Sequence, residues 1–190
     1  LLGDIAEELG NEQEIYVVTP PGSALPDSGC ALSVVGRRDF EKHRAAVERT
    51  GRTIEVRRAD KPRKFRFGNA GETETCIYAL IPVGIGGRSG LLIIWIVEVD
   101  CPFLLSKRLL KELGSKLDFK NNTLELADVD GVIVKLQELP SGHYALDLLD
   151  FGGQTEVSGD LKVKGKDIKV YATLQQSEIG PDRCEDEATE

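Results

Sequence analysis

The distribution of apolar and polar residues predicts a chain built mostly from short β-strands. Apolar runs rich in β-branched residues, and segments that alternate apolar with polar positions, recur between glycine- or proline-containing turns, and this pattern is typical of strands. The predicted strands are 14–19, 53–58, 63–67, 74–83, 91–99, 116–119, 123–126, 131–139 and 143–149, with one more hairpin in 161–174. Within 23–36, the polar, turn-forming Asp27-Ser28-Gly29 lies between two apolar pieces and is predicted to be a loop held between strands.

Two segments have the apolar spacing of a helix instead. Asp39 can cap the first, 39–50, and Gly51 can end it. Leucines form one stripe along the second, 104–113, and Gly114 follows as a stop. Modest helical character also occurs in 1–13. We therefore expect a mainly β protein with one or two short helices.

The composition is that of an ordinary globular chain without a membrane span or metal site. The 190 residues are 41% hydrophobic, which is enough for one substantial core. No apolar stretch approaches the roughly 18 residues that cross a bilayer. Two histidines and four irregularly spaced cysteines, Cys30, Cys76, Cys101 and Cys184, contain no C-x-x-C pair. We expect no metal, no cofactor, free thiols and an intracellular, cytoplasmic setting.

Charge is distributed unevenly along the chain. The net charge of -8 argues against direct nucleic-acid binding. Residues 52–66 nevertheless contain seven Lys/Arg and two acids, a surplus of +5, whereas 175–190 contain six acids and one Arg, a surplus of -5. Both segments are interpreted as solvated surface. The basic one lies where it could select acidic substrates, and the acidic one is expected to be disordered.

The tripeptide Asp27-Ser28-Gly29 has the residue types that metal-free peptide hydrolysis needs. One carboxylate takes a proton from water while a second, protonated carboxyl polarises the scissile carbonyl, so two carboxyls must share a proton. Glycine lets backbone amides approach the carboxylate, and serine offers a hydroxyl that can tie loops together. Taken alone the tripeptide is also an ideal turn sequence. Its surroundings have to decide between the two interpretations.

Those surroundings resemble the retropepsin family of retroviral and retrotransposon proteases over residues 14–126. The segment from Asp27 to Gly36, DSGCALSVVG, looks like the catalytic loop and the strand after it. The segment from Phe65 to Gly71, FRFGNAG, looks like a glycine-tipped flap hairpin. Residues 100–119 are similar to the segment in which the family's apolar strand leads into a helix and a final hairpin. The resemblance is closest to retrotransposon polyprotein proteases.

The resemblance implies a small closed β-barrel of the acid-protease type with one catalytic aspartate per chain. Asp27 is then the catalytic residue, and Ser28, Gly29 and Cys30 complete the active-site loop. The flap that binds substrate is formed by Gly68, Asn69, Ala70 and Gly71. The implied function is aspartic endopeptidase cleavage of a retroelement polyprotein by a homodimer, and the partners are a peptide or polyprotein substrate and a second copy.

The corresponding domain organisation is an N-terminal extension (1–13), the protease domain (14–126), a C-terminal β extension (127–174) and an acidic tail (175–190). The first residue is Leu1 and no methionine occurs, which fits a segment excised from a longer polyprotein.

Three alternatives remain. A catalytically inactive module for assembly or protein binding is suggested by Pro26 and Ser106, which depart from the family pattern. The glycine-rich stretch 84–90 superficially resembles a phosphate-binding loop, but an apolar strand follows it rather than a helix, which favours a hairpin turn. A hydrolase triad of Ser28 or Ser33 with His43 lacks a nucleophile-elbow sequence.

Trp95 is expected in the core, and His143 in a surface turn.

Overall fold

The computed structural model describes residues 17–68 and 71–153, together with the backbone of three short strands between residues 162 and 171. The helices are α1 (Arg37–Glu48) and α2 (Lys107–Glu112). The strands are β1 (Ser23–Asp27), β2 (Val34–Gly36), β3 (Glu55–Arg66), β4 (Glu72–Ile85), β5 (Arg88–Val97), β6 (Leu104–Ser106), β7 (Ser115–Asp118), β8 (Thr123–Leu126), β9 (Val132–Lys135), β10 (Gln137–Glu138), β11 (Tyr144–Asp147), β12 (Lys162–Val163), β13 (Lys166–Asp167) and β14 (Lys169–Tyr171). The predicted mainly β class is confirmed.

The main sheet brings together strands that are distant in sequence. Its hydrogen-bonded order is β10, β11, β1, β6, β2, β5, β4, β3, with β14 also paired to β5. β1 runs parallel to β6 and antiparallel to β11. In the described ranges no pairing joins β3 back to β10, so this order is open and the closed barrel stays a prediction. A separate sheet contains β7, β8 and β9.

The β4–β5 hairpin accounts for the glycine-rich stretch 84–90. Ile85 pairs with Arg88, which leaves Gly86 and Gly87 as a two-residue turn with φ values of 56° and 76°. Two consecutive positive φ angles are the requirement of a tight hairpin turn, and glycine meets it without steric strain. The hairpin interpretation is therefore confirmed against the phosphate-loop alternative.

Helix α1 covers the largest apolar core from one side. It buries Phe40, His43, Ala46 and Val47, as their helical spacing predicts. The predicted helix is confirmed, although it begins at Arg37 and not at Asp39. The fully buried side chains of this core include those of Val35, Ala79, Ile81, Ile94, Leu105, Leu124, Leu126 and Leu146.

The predicted helix over 104–113 is wrong in its first third. Leu104, Leu105 and Ser106 form strand β6, and only residues 107–112 are helical. The leucine spacing fits a helix, but the backbone of Leu104 and Leu105 pairs with that of Leu25 and Pro26 in β1. Tertiary pairing thus overrides local periodicity at this point.

Of two further expectations near the N-terminus, the first needs correction. Residues 17–19, the described part of the predicted strand 14–19, are not in a strand, and residues 14–16 lie outside the described ranges. In the stretch 23–36 the first five residues form β1 and the last three form β2, so the predicted loop lies between two strands, although Asp27 itself is the last residue of β1. Pairing partners more than 70 positions away, in β6 and β11, make residues 23–27 a strand.

Residues 127–153 share the sheet and the core with the residues before them. β11 pairs with β1, and Val129, Leu136, Leu146 and Leu148 belong to the largest core. The domain boundary after residue 126 stays a prediction, as do the extension 1–13 and the tail 175–190, which lie outside the described residues. No helix in the described part of the chain has the length and apolarity of a membrane span.

The burial of His43 on α1 makes the stability of the fold depend on pH. Its side chain is buried, its ring lies edge-on to Phe103 with centroids 4.7 Å apart, and neither ring nitrogen has a hydrogen-bond partner. Burial lowers the pKa of His43 from 6.5 to about 4. The unfolded chain therefore binds a proton more readily than the folded one, so stability is full above pH 6.5 and falls as the pH drops towards 4.

We predict that His43→Leu reduces this acid sensitivity. Between pH 7 and 4 the wild type should lose roughly 3 kcal/mol more of its free energy of unfolding than the variant does. Urea unfolding at a series of pH values measures this difference, and the titrating carboxylates cancel between the two proteins. Parallel stability curves for the two proteins would contradict the assignment.

Candidate active site

Asp27 is held by a tight turn at the end of β1. The backbone N–H of Gly29 donates to Asp27 Oδ1 at 2.8 Å, and the N–H of Cys30 donates to the Asp27 carbonyl at 3.3 Å. A Cβ atom on residue 29 would lie 3.2 Å from Asp27 Oδ1, closer than an ordinary contact. Glycine at this position therefore lets the amide reach the carboxylate. The Asp27 side chain is half-buried, while Ser28 and Gly29 are exposed.

The turn is anchored to β6 and to the start of α2. Asp27 lies opposite Ser106 in the parallel β1–β6 pairing. The N–H of Lys107, the first residue of α2, donates to the carbonyl of Cys30 at 2.9 Å. Backbone contacts thus fix both ends of the turn, and the direction of the Asp27 carboxylate depends on a segment about 80 residues later in the chain.

A buried pair of hydroxyls strengthens the same junction. The Ser33 hydroxyl donates to Ser106 Oγ at 3.2 Å and accepts a hydrogen bond from the Ser106 N–H at 3.0 Å. Ser106 Oγ in turn accepts from the N–H of Leu109 at 3.3 Å and caps α2. Both serines are fully buried. Sequence reasoning missed this pair because the two residues are 73 positions apart and no local signal connects them.

Pro26 fits its place in β1 without breaking the ladder to β6. The N–H of Leu25 donates to the carbonyl of Phe103 on the β6 side at 2.7 Å. Because successive backbone groups point to opposite edges of a strand, the nitrogen of Pro26 faces away from β6. The β1–β11 pairing ends at Ala24. The missing N–H therefore removes no ladder hydrogen bond.

The tip end of the β3–β4 hairpin shares an apolar cluster with residues that follow Asp27. Phe65 and Phe67 belong to the same apolar cluster as Cys30, Leu32 and Leu104. We call this set, together with Val34, Tyr78, Ile93, Trp95, Val97 and Cys101, the second apolar cluster. Trp95 is only 1% exposed, so its predicted core position is confirmed. The cluster connects the hairpin to the Asp27 turn.

The tip of this hairpin is described only in part. Arg66 pairs with Glu72, and the N–H of Phe67 donates to the Gly71 carbonyl at 2.9 Å, so β3 and β4 form the predicted hairpin. Gly68 and Gly71 are exposed. Asn69 and Ala70 lie outside the described residues, and the substrate-binding role of all four residues stays a prediction.

An open cavity of about 310 Å³ lies beside the Asp27 turn. Its lining residues include Pro26 and Ser28 of the turn, Lys107, Leu110 and Lys111 of α2, and Leu117 of β7. It joins the turn to α2 and β7. Its walls come from segments that are far apart in sequence, so spacing arguments could not predict it.

The remaining candidate groups do not assemble into another site. Both ring nitrogens of His43 are buried without a partner, so the Ser–His triad is not formed. His143 is exposed and lies beside Ser141, as expected of a turn residue. Within residues 17–68 and 71–153, no three His, Cys, Asp or Glu side chains are grouped to hold a metal ion.

Cys30 has an environment that suppresses its ionisation. Burial first, and then the charge of Asp27, raises the pKa of the Cys30 thiol to about 11, although a hydrogen bond to the Leu32 carbonyl opposes this. Cys30, Cys76 and Cys101 are free thiols. At neutral pH Cys30 therefore carries very little thiolate, the reactive form of cysteine.

No family model and no curated protein matches this chain. Among solved structures, the chain is similar to the retroviral protease-like domain of Ddi1 from Leishmania major, with a TM-score of 0.37 and 18% sequence identity. The matched region covers 63% of this chain and 94% of that one. A similarity of this size does not decide the function, which has to be argued from the geometry around Asp27.

We predict that the Ser33–Ser106 pair stabilises the fold. Ser33→Ala leaves the buried Ser106 N–H without its acceptor and should lower the free energy of unfolding by about 1–3 kcal/mol. Ser106→Ala removes the helix cap at a cost of about 1 kcal/mol, and the double variant should lose less than the sum. Urea unfolding tests this, with exposed Thr53→Ala as the near-neutral control. Strict additivity would indicate that the two hydroxyls act independently.

We also predict that Asp27→Asn makes Cys30 more reactive. Removal of the negative charge should lower the pKa of Cys30 and raise its alkylation rate about threefold at about pH 8. Mass spectrometry of iodoacetamide-treated protein gives the rate at each cysteine, and Cys76 on β4 serves as the internal control. An unchanged rate at Cys30 would show that the charge of Asp27 does not reach the thiol.

Proposed function

We propose that this chain is one subunit of a retropepsin-like aspartic endopeptidase that cleaves a retroelement polyprotein as a homodimer. The observation that carries the proposal is the anchored Asp27 turn. A carboxylate oxygen accepts a hydrogen bond from Gly29, and the turn itself is tied to β6 and α2 through Cys30 and Lys107. Such a turn holds a carboxylate in one orientation at an accessible surface, as general acid–base catalysis requires.

The chemistry explains why a second copy is needed. One Asp27 carboxylate takes a proton from water as the water oxygen attacks the scissile carbonyl carbon. The second Asp27, protonated, donates a hydrogen bond to the carbonyl oxygen. Collapse of the tetrahedral intermediate breaks the C–N bond, and a carboxyl proton passes to the leaving amine. Each chain supplies one Asp27, so two chains related by a two-fold axis form one site.

The surroundings of the turn suit this assembly. Ser28 and Gly29 are exposed and available to a facing copy. We place the second subunit over the cavity that Ser28 and Leu117 line beside the Asp27 turn. In this proposal the main sheet and its hairpins form the acid-protease barrel of the family.

Substrate binding is assigned to the β3–β4 hairpin. An extended peptide lies between the hairpin tip, residues 68–71, and the Asp27 turn, and is held by backbone hydrogen bonds. The second apolar cluster supports the hairpin, because Phe65 belongs to its buried part and Phe67, Cys30 and Leu32 pack against that part. Closure of the tip excludes water other than the attacking molecule.

The alternative, an inactive module for assembly, is less well supported. It was suggested by Pro26 and Ser106, but the geometry accommodates both residues. Pro26 faces the edge of β1 that does not pair with β6, and Ser106 contributes a hydrogen-bonded cap to α2. Neither residue displaces Asp27 from the turn.

We predict that Asp27→Asn abolishes peptide cleavage. Loss of the general base should lower the rate roughly 10³-fold or more, while Asp100→Asn, at an exposed carboxylate, should leave it unchanged. Cleavage of a peptide library between about pH 4 and 7, with and without a transition-state-mimicking aspartic protease inhibitor, measures this. Undiminished cleavage by Asp27→Asn rejects the proposal. Failure of a dimer verified by sedimentation to cleave any peptide favours the inactive module.

Mixed dimers test the shared site directly. If equal amounts of wild-type and Asp27→Asn chains are refolded together, random pairing leaves about a quarter of the dimers with two Asp27 carboxylates. Activity should fall to that fraction. A monomeric enzyme would keep half of its activity.

A further inference from the structure

Strand β3 presents a row of positive charge at the edge of the main sheet. It is the last strand in the hydrogen-bonded order, so within the described residues one of its edges has no neighbouring strand. Arg58, Lys61 and Lys64 are exposed along it. We call these three residues the basic edge.

The basic edge is electrostatically unbalanced. Neighbouring cations on β3 have partners: Arg57 pairs with Glu55, and Arg66 with Glu72. No carboxylate among the described residues forms an ion pair with Arg58, Lys61 or Lys64, although Glu74 lies opposite Lys64 in the β3–β4 pairing. Asp60, exposed between Arg58 and Lys61, offsets one of the three cations, and the remaining surplus of +2 attracts an anionic segment.

An anionic segment of matching length occurs in the same chain. Residues 175–190, which lie outside the described ranges, carry six acids and one arginine. We propose that this acidic tail binds the basic edge of its own chain. The surplus of -5 in the tail matches the surplus of +5 in residues 52–66, and this complementarity favours the tail over an external partner. The proposal does not depend on proteolytic activity.

The connectivity allows the tail to reach β3. Strand β14 ends at Tyr171, which pairs with Leu92 of β5. From β14 the sheet continues through β5 and β4 to β3, three strand spacings or about 14 Å. The few residues between Tyr171 and the first residue of the tail can span about that distance when extended. The 16 tail residues then suffice to follow the 12-residue strand β3.

Side-chain ion pairs are expected to carry the contact, rather than a new strand in the sheet. The β3–β4 register shifts between Arg58 and Arg63, and Pro62 lies within that irregularity. A proline and a bulge both oppose continuous strand addition at an edge. The interaction should therefore be sensitive to salt. Because β3 leads into the 68–71 tip, an acidic tail bound to the basic edge competes with other acidic polypeptides for this side of the hairpin.

Carbodiimide cross-linking of the full chain tests this proposal. The reagent joins a carboxylate to a lysine amine only when the two are in contact, and mass spectrometry locates the amide bonds. At about 0.01 M salt, tail cross-links to Lys61 and Lys64 should exceed those to the exposed Lys120 and Lys135 by about fivefold, and this ratio should approach one at about 1 M salt. Mixing isotope-labelled with unlabelled chains separates links within a chain from links between chains.

Charge variants supply the matched controls. Arg58→Gln should reduce the Lys61 and Lys64 cross-links at least twofold while leaving both reacting amines in place, whereas Arg49→Gln, at an exposed arginine on α1's C-terminal end, should not. Equal cross-linking at all exposed lysines overturns the proposal. The partner of the basic edge would then be an external polyanion. Cross-links found only between chains also overturn it, as does a lysine preference that high salt does not change.

Discussion

The structure depends on the parallel pairing of β1 with β6. The two strands come from opposite halves of the described chain, and their junction fixes three things at once. It sets the end of β1 where Asp27 stands, the start of α2 at Lys107, and the contact between Ser33 and Ser106. If this pairing were lost, the Asp27 turn would keep its local Gly29 hydrogen bond but lose its orientation relative to the rest of the molecule.

Polar groups at this junction are buried and satisfied, which is why it can define one geometry. An unpaired buried N–H or hydroxyl costs more than a hydrogen bond contributes, so alternative arrangements of Ser33 and Ser106 are disfavoured. The apolar residues around them stabilise the fold by burial, which is not directional and therefore does not fix the relative orientation of β1 and β6. Leu105 packs into the core below, while Leu104 belongs to the cluster that supports the hairpin. Strand β6 thus connects the core to the candidate site through alternate side chains.

Local signals predicted the elements that need no distant partner. Helix α1 followed from the spacing of Phe40, His43 and Val47, and the β4–β5 turn followed from its glycines. Local signals failed where pairing with a distant strand decides the conformation. Leu104 and Leu105 have helical spacing but form a strand, and Pro26 and Asp27, at the start of the predicted turn, end a strand as well. In the same way, the tripeptide identified Asp27 as a candidate, but nothing local connected Ser33 with Ser106. Side-chain pairs 73 residues apart leave no periodic trace in one sequence.

Trp95 is the one tryptophan of the chain, and it lies at the centre of the second apolar cluster with its ring 5.5 Å from that of Tyr78. Its indole N–H is buried without an acceptor, and the Arg63 guanidinium lies 5.8 Å from the ring centroid. Entry of water beneath the hairpin would therefore give the indole its first hydrogen-bond partner and shift its emission to longer wavelength. The protein thus contains a built-in fluorophore that reports, without labelling, whether the hairpin separates from the turn that holds Asp27.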